Sequence, residues 1–113
     1  MIICNRLLLD ILTFRNRKVN AMALWPFIIF KDKDTSADPF ILNHEKIHHR
    51  QQLELLLIPY YLWYFIEYWT GMLYYRNHDK AYRNISFEKE AYANQNNLDY
   101  LKKRPFLNSV KWL

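Results

Sequence analysis

The chain has 113 residues, a formal net charge of +5 and 51% hydrophobic residues. That length and hydrophobic content fill one core but not two, so we expect a single domain over residues 1–113. One glycine and four prolines exclude a flexible low-complexity protein. The basic residues are scattered along the chain without a recognition motif, which argues against a nucleic-acid partner.

The N-terminal segment carries no export signal. It lacks a basic start and a long apolar stretch, and Asp10 interrupts it. The single cysteine, Cys4, cannot form an intramolecular disulfide and fits a reducing compartment, so we expect a cytoplasmic protein. Residues 7–14 predict a short helix or strand, and the basic residues within 15–18 predict a turn.

A β segment is predicted over residues 19–30, which are rich in β-branched and aromatic side chains. Pro26 is compatible with a strand only at a sheet edge or at a bend, because proline has no N–H for the ladder. The charged residues 31–38 predict a loop.

A long helix follows. Asp38 is a good N-cap, Pro39 is favoured at the first helical position, and Pro59 should stop the helix, so we predict a helix over residues 39–58. Spacings of three and four place one stripe of this helix in the core. The members of that stripe are His44, His48, Gln51, Leu55 and Ile58.

The most informative motif is HEKIHH, at residues 44–49. A helix turns once in about 3.6 residues, so His44 and His48 project from one face and can hold Zn²⁺ between them. Glu45 lies beside that stripe, where it can take a proton from a metal-bound water. The alternative is a pair of hydrogen-bonded core histidines. His49 lies to one side and is expected at the rim.

A catalytic zinc site needs a third protein ligand and leaves the fourth position for water. The best candidates lie on a helix predicted over residues 86–103, which Ser86 should cap and whose alanines allow close packing. Glu88 and Glu90 are two residues apart and project about 160° apart on a helix. Only one of them can therefore reach the metal.

HEKIHH with FEKEAYAN further along the chain resembles the gluzincin zinc metallopeptidases, in which a glutamate on a following helix is the third ligand. The family pattern of Glu, two residues, a small residue, then Asp or Asn fits Glu90 with Asn94 more fully. In related small zincins, however, the Glu-x-Glu-Ala string carries the ligand on its first glutamate. We predict Glu88 as the third ligand, with Glu90 and Asn94 as outer partners or as the alternative ligand. The resemblance covers about residues 19–101.

The resemblance implies an α+β, mainly helical fold with a short N-terminal β segment, a zincin-like helix pair and an added aromatic helix. It implies Zn²⁺ as cofactor and a peptide or protein substrate, with Glu45 as general base. An edge strand ahead of the metal helix would bind extended peptide. A further donor should stabilise the oxyanion. The candidates for this donor are Tyr82, Tyr92, His49 and Arg83.

Aromatic residues fill more than half of residues 60–75. They predict a helix packed beneath the metal helix. The apolar run between Glu54 and Glu67 is twelve residues long, whereas a spanning helix needs about 20. The tyrosines and tryptophans, with the net positive charge, could instead contact an anionic membrane surface. The rival function is therefore a non-catalytic, metal-stabilised binding or membrane-peripheral protein on the same scaffold.

Overall fold

The computed structural model describes residues 1–13 and 19–113. It confirms an α+β, mainly helical fold. The basic turn expected within residues 15–18 lies outside the described part. The elements, in chain order, are β1 (Ile2–Cys4), α1 (Arg6–Leu12), β2 (Ala21–Leu24), β3 (Phe27–Phe30), α2 (Lys33–Ser36), α3 (Pro39–Glu54), α4 (Ile58–Tyr75), α5 (His78–Arg83), α6 (Ser86–Asn94), α7 (Tyr100–Lys103) and a 3₁₀ helix (Asn108–Trp112).

The three strands form one sheet in the order β1-β3-β2, with β1 parallel and β2 antiparallel to β3. The single β segment predicted over residues 19–30 is two strands, because Trp25 and Pro26 form a turn between them. β2 is an edge strand in the described residues. The Gln52 side chain of α3 holds it, donating to the Ala23 carbonyl and accepting from the Trp25 N–H, each at 2.8 Å.

Two short helices flank the sheet. Of the segment 7–14, predicted as helix or strand, residues 7–12 lie in helix α1, whose first turn is capped by the Asn5 side chain, and residue 14 lies outside the described part. The prediction of a loop over residues 31–38 is wrong at its centre, where α2 forms. The physical reason is a local cap, since the Asp32 carboxylate accepts from the Thr35 N–H at 2.7 Å.

Helix α3 begins as predicted, because the Asp38 carboxylate accepts from two N–H groups of the first turn at 2.8 and 3.3 Å. It ends at Glu54 rather than at residue 58. Leu56 and Leu57 have φ of 60° and 68°, in the left-handed region that ends a right-handed helix. Pro59 therefore lies in the first turn of α4 instead of stopping α3.

The helix predicted over residues 86–103 is two helices, α6 and α7. Between them the chain turns its backbone carbonyls to α3, where the Asn43 amide donates to those of Gln95 and Asn97 at 2.8 and 3.0 Å. Ser86 is the first residue of α6 rather than its cap. Its N–H and hydroxyl both donate to the Glu67 carboxylate of α4, which ties the two helices together.

The inner face of α4 packs against α6. Tyr60, Ile85 and Phe87 form a buried cluster there, with the rings of Tyr60 and Phe87 4.4 Å apart. The aromatic helix was predicted to pack beneath the metal helix α3, whereas its inner face packs against α6 and most of its other side chains are exposed. Among the described residues, no helix has both the length and the apolar content needed to cross a bilayer.

The cap at the start of α3 gives a stability prediction. Asp38→Ala leaves two N–H groups without their acceptor and should lower the free energy of unfolding by about 1 kcal/mol. Urea unfolding with a chelator present measures this without a contribution from metal. Asp34→Ala is the matched control, because it removes an exposed carboxylate that caps no helix, and it should change stability by less than about 0.5 kcal/mol. Equal losses in the two variants would contradict the capping role.

Candidate metal centre

Helices α3 and α6 bring His44, His48 and Glu88 together in the core. The two Nε2 atoms lie 3.1 Å apart, and Glu88 Oε1 lies 3.2 Å from that of His44 and 3.1 Å from that of His48. All three side chains are buried. Among the described residues, these three side chains form a group that could together bind one metal ion. Glu88, and not Glu90, is the carboxylate that faces the histidines.

The three atoms form a nearly equilateral triangle that fits a small tetrahedral cation. Zinc ligands lie about 2.0–2.2 Å from the metal, so adjacent ligands of a tetrahedron lie about 3.3 Å from one another. The observed separations of 3.1–3.2 Å are close to that value. The donor set of two imidazoles and one carboxylate is also one that zinc takes in hydrolases. The residues present therefore fit the metal that the motif implies.

Gln51 sets which nitrogen of His48 carries the proton. Its amide nitrogen donates to the Phe87 carbonyl at 3.1 Å and to Glu90 at 2.9 Å, and both of these groups only accept. Its oxygen must therefore face His48 Nδ1, 2.8 Å away. That nitrogen is the donor, so neutral His48 presents a lone pair on Nε2 to the centre of the triangle.

His44 is held in the same way. Its Nδ1 lies 2.8 Å from Gln95 Oε1, and its Nε2 points at the triangle. The two Nε2 lone pairs and the Glu88 oxygen then meet without a donor between them. Three acceptors this close repel one another in a buried place, unless a proton or a metal ion lies between them.

The pKa values show what occurs when no metal is bound. Burial lowers the pKa of His48, but the charge and hydrogen bond of Glu88, with the charge of Glu45, outweigh it and raise that pKa to about 9. Burial would raise the pKa of Glu88, yet the charge of protonated His48 and the hydrogen bond from its imidazole hold it well below its usual range. At neutral pH without metal, a proton on His48 therefore reduces the repulsion among the three acceptors.

Two tyrosines complete the surroundings of Glu88. Tyr64 donates to Oε2 at 2.8 Å and Tyr82 donates to Oε1 at 3.1 Å. Burial and the charge of Glu88 raise both hydroxyl pKa values well above the ordinary value, so both remain donors. Tyr64 was not among the predicted site residues, because nothing in the sequence distinguishes it from the other aromatic residues of α4.

Glu90 has a different partner set on the opposite side of α6. Arg104 donates from Nε to Glu90 Oε2 at 2.5 Å, and its Nη1 donates to Glu54 at 2.6 Å. Tyr100 also donates to Glu90, at 2.6 Å. Glu90 acts on the site through Gln51, as an outer partner. Asn94 is not part of this link, because its amide donates to the backbone carbonyl of Glu90 within α6.

Glu45 and His44 line a cavity of about 650 Å³. The Glu45 carboxylate is buried, and in the part of the chain that the structure describes it has no hydrogen-bond partner. Burial raises its pKa, and the charge of protonated His48 offsets part of that rise. The other walls come from the sheet edge, α5 and α6, and they include Ala21, Met22, Tyr82, Arg83, Tyr92 and Gln95.

The remaining predicted residues divide into two groups. The Tyr92 ring meets the His44 ring edge-on at 4.5 Å, its hydroxyl lies 3.2 Å from that of Tyr82, and the Arg83 guanidinium lies over its face. These residues border the site. His49 does not, because its Nε2 turns towards the sheet and lies 2.8 Å from the Phe27 carbonyl.

Comparison of the chain with protein-family models, curated proteins and solved structures gave no match. The assignment of the metal centre therefore depends on the geometry of His44, His48 and Glu88. The sequence carried one signal that was left unused, namely Gln51, a polar amide on the buried stripe three residues after His48. Gln95 and Arg104 carried none, since their roles depend on contacts between distant parts of the chain.

Neighbouring glutamines on α3 allow a matched test of the link through Gln51. Gln51→Ala removes the partner of His48 Nδ1 and should weaken zinc binding about 10 to 100-fold. Gln52→Ala is the control, because Gln52 is equally buried but holds β2. It should lower stability and leave zinc affinity unchanged, as measured by competition with a chromophoric chelator. Equal losses of affinity would show that Gln51 acts only through folding.

The raised pKa of His48 predicts proton release on metal uptake. At pH 7, below the pKa of about 9, His48 carries a proton that a metal must displace. Zinc binding should release about one proton from His48 at pH 7, and this release should disappear as the pH rises through 9. Calorimetry in two buffers with different ionisation enthalpies measures it. Binding at pH 7 without proton release would contradict the assigned protonation.

Proposed function

We propose that this chain is a zinc-dependent hydrolase that cleaves peptide bonds. The observation that carries the proposal is the triangle of His44, His48 and Glu88 beside a buried carboxylate, Glu45, that lines a cavity. A site that only stabilised the fold would need no carboxylate on an open cavity beside it. Burying a carboxylate is costly, and carboxylates with raised pKa values concentrate where they act as acids or bases.

Zinc is the metal that these ligands favour. Structural zinc sites fill all four positions with protein ligands, whereas catalytic sites use three and leave one for water. Bound zinc would supply a Lewis acid that polarises the scissile carbonyl and lowers the pKa of a coordinated water. Tyr64 and Tyr82 support this role, because their hydrogen bonds hold Glu88 in place as a ligand.

Glu45 is the proposed general base. It follows His44 directly on α3, and its raised pKa makes its carboxylate a stronger proton acceptor than an exposed glutamate. It takes the proton of the attacking water and passes it to the leaving amine. The absence of a hydrogen-bond partner within the described residues leaves both of its oxygens available for this transfer.

Tyr92 is the proposed donor to the oxyanion. Tyr82 already donates to Glu88, so the hydroxyl proton of Tyr92 goes to the Tyr82 oxygen, 3.2 Å away. Tyr92 lines the cavity, and burial raises its pKa, so it stays protonated at neutral pH. It can exchange its bond with Tyr82 for one with the developing negative charge.

The cavity walls suggest an extended peptide as substrate. Ala21 and Met22 of β2 line the same cavity as His44 and Glu45, and β2 is an edge strand in the described residues. An edge strand can add one more strand through backbone hydrogen bonds. We place the chain in the cytoplasm, where its one cysteine, Cys4, stays reduced.

Glu45→Gln separates catalysis from metal binding. The variant should keep the fold and one zinc per chain, because Glu45 is not a ligand, and should lose hydrolysis of casein by at least about 100-fold. Elemental analysis of protein purified without added metal measures the zinc content, and release of labelled casein fragments measures the activity. Lys46→Gln is the control, because it changes an exposed residue next to Glu45.

Two outcomes would count against the proposal in different ways. Absence of zinc from the wild-type chain would remove the metal site. Zinc-loaded wild type that cleaves neither casein nor a broad peptide library would favour the rival function, a metal-stabilised binding protein on this scaffold.

A further inference from the structure

Helix α4 has an apolar stripe that faces away from the protein. Its side chains recur at spacings of three and four along the helix and are 49–81% exposed. None of them carries a charge. The members of this outward stripe are Ile58, Leu62, Phe65, Ile66, Trp69 and Leu73.

Two polar side chains of α4 that make hydrogen bonds to α6 face inward. Tyr64 donates to Glu88, and Glu67, the one charged residue of the helix, accepts from both the N–H and the hydroxyl of Ser86. A helix at a water-exposed surface has the opposite arrangement, with its apolar stripe on the core. The orientation of α4 therefore fits an apolar medium on its outer side.

The borders of the outward stripe carry aromatic side chains with polar atoms. Tyr61, Trp63 and Tyr74 are exposed beside it. Such residues prefer the boundary between an apolar phase and water. The turn before α4 agrees, because Leu56 is 80% exposed and has a positive φ, where a water-exposed turn would favour glycine or asparagine.

Charge favours an anionic surface over a second copy of this chain. The chain carries +5, so two copies repel each other. Exposed Arg76, Lys80 and Arg83 lie at the end of α4 and on α5, which packs beside it, against one exposed acid there, Asp79.

We propose that the outward stripe of α4 binds the interfacial region of an anionic phospholipid bilayer. The helix lies parallel to the surface with this stripe among the upper acyl chains, while its inner face stays packed on the protein. Arg76 and Lys80 contact the headgroups. This inference is independent of the proposed hydrolase activity, because none of the residues that it places at the bilayer belongs to the metal centre or lines its cavity.

Vesicle flotation tests the proposal. The full chain should float with vesicles of phosphatidylcholine and phosphatidylglycerol at 3:1 in low salt, and more weakly with phosphatidylcholine alone. The double variant Phe65→Ser with Leu73→Ser should bind at least about tenfold more weakly, because it removes two large side chains from the stripe. Phe106→Ser with Leu113→Ser is the matched control, since both residues are equally exposed but lie outside α4.

A second measurement does not depend on how the variants fold. Tryptophan fluorescence of the unaltered chain should shift to the blue with anionic vesicles and be quenched by brominated lipid, and Trp69→Phe should reduce that signal, the remainder coming from Trp63. Failure of the wild type to float or to be quenched would overturn the proposal. So would equal weakening in both double variants, equal binding to neutral vesicles, or a dimer that the α4 variant alone turns into a monomer.

Discussion

The convergence of three lone pairs on one buried point is the interaction on which the rest of this site depends. His44, His48 and Glu88 each present an acceptor within 3.2 Å of the other two, and all three side chains are buried. Without a cation this arrangement would push α3 and α6 apart. With a proton or a metal ion between the three acceptors, the same contact stabilises the packing of α3 against α6.

Buried polar side chains connect this centre to the C-terminal segment through hydrogen bonds. Arg104 pairs with Glu90 and Glu54, Glu90 accepts from Gln51, and Gln51 accepts from His48. Each link is a direct hydrogen bond or ion pair, and within the described residues one oxygen of Glu54, Oε1, is buried without a partner. The C-terminal segment thus helps to determine which nitrogen of an imidazole faces the metal.

Local spacing was sufficient for the parts of the site that lie on one helix. His44 and His48 share a face because they are four residues apart, and the cap at Asp38 requires only its neighbours. The end of α3 was not predictable in this way. The positive φ of Leu56 and Leu57 has no signal in leucine side chains, and the prediction assigned the stop to Pro59, which instead begins α4.

The sequence alone could not decide which of Glu88 and Glu90 faces the histidines. It determined that only one could reach the histidines, because residues two apart on a helix project in nearly opposite directions. Tertiary packing decided which one, since rotation of α6 against α3 depends on burying Phe87 and on the partner that Arg104 offers to Glu90. The sequence also left open which face of α4 is exposed, for the same reason. Composition shows that a helix is apolar, but only its packed neighbours show which face is left to the outside.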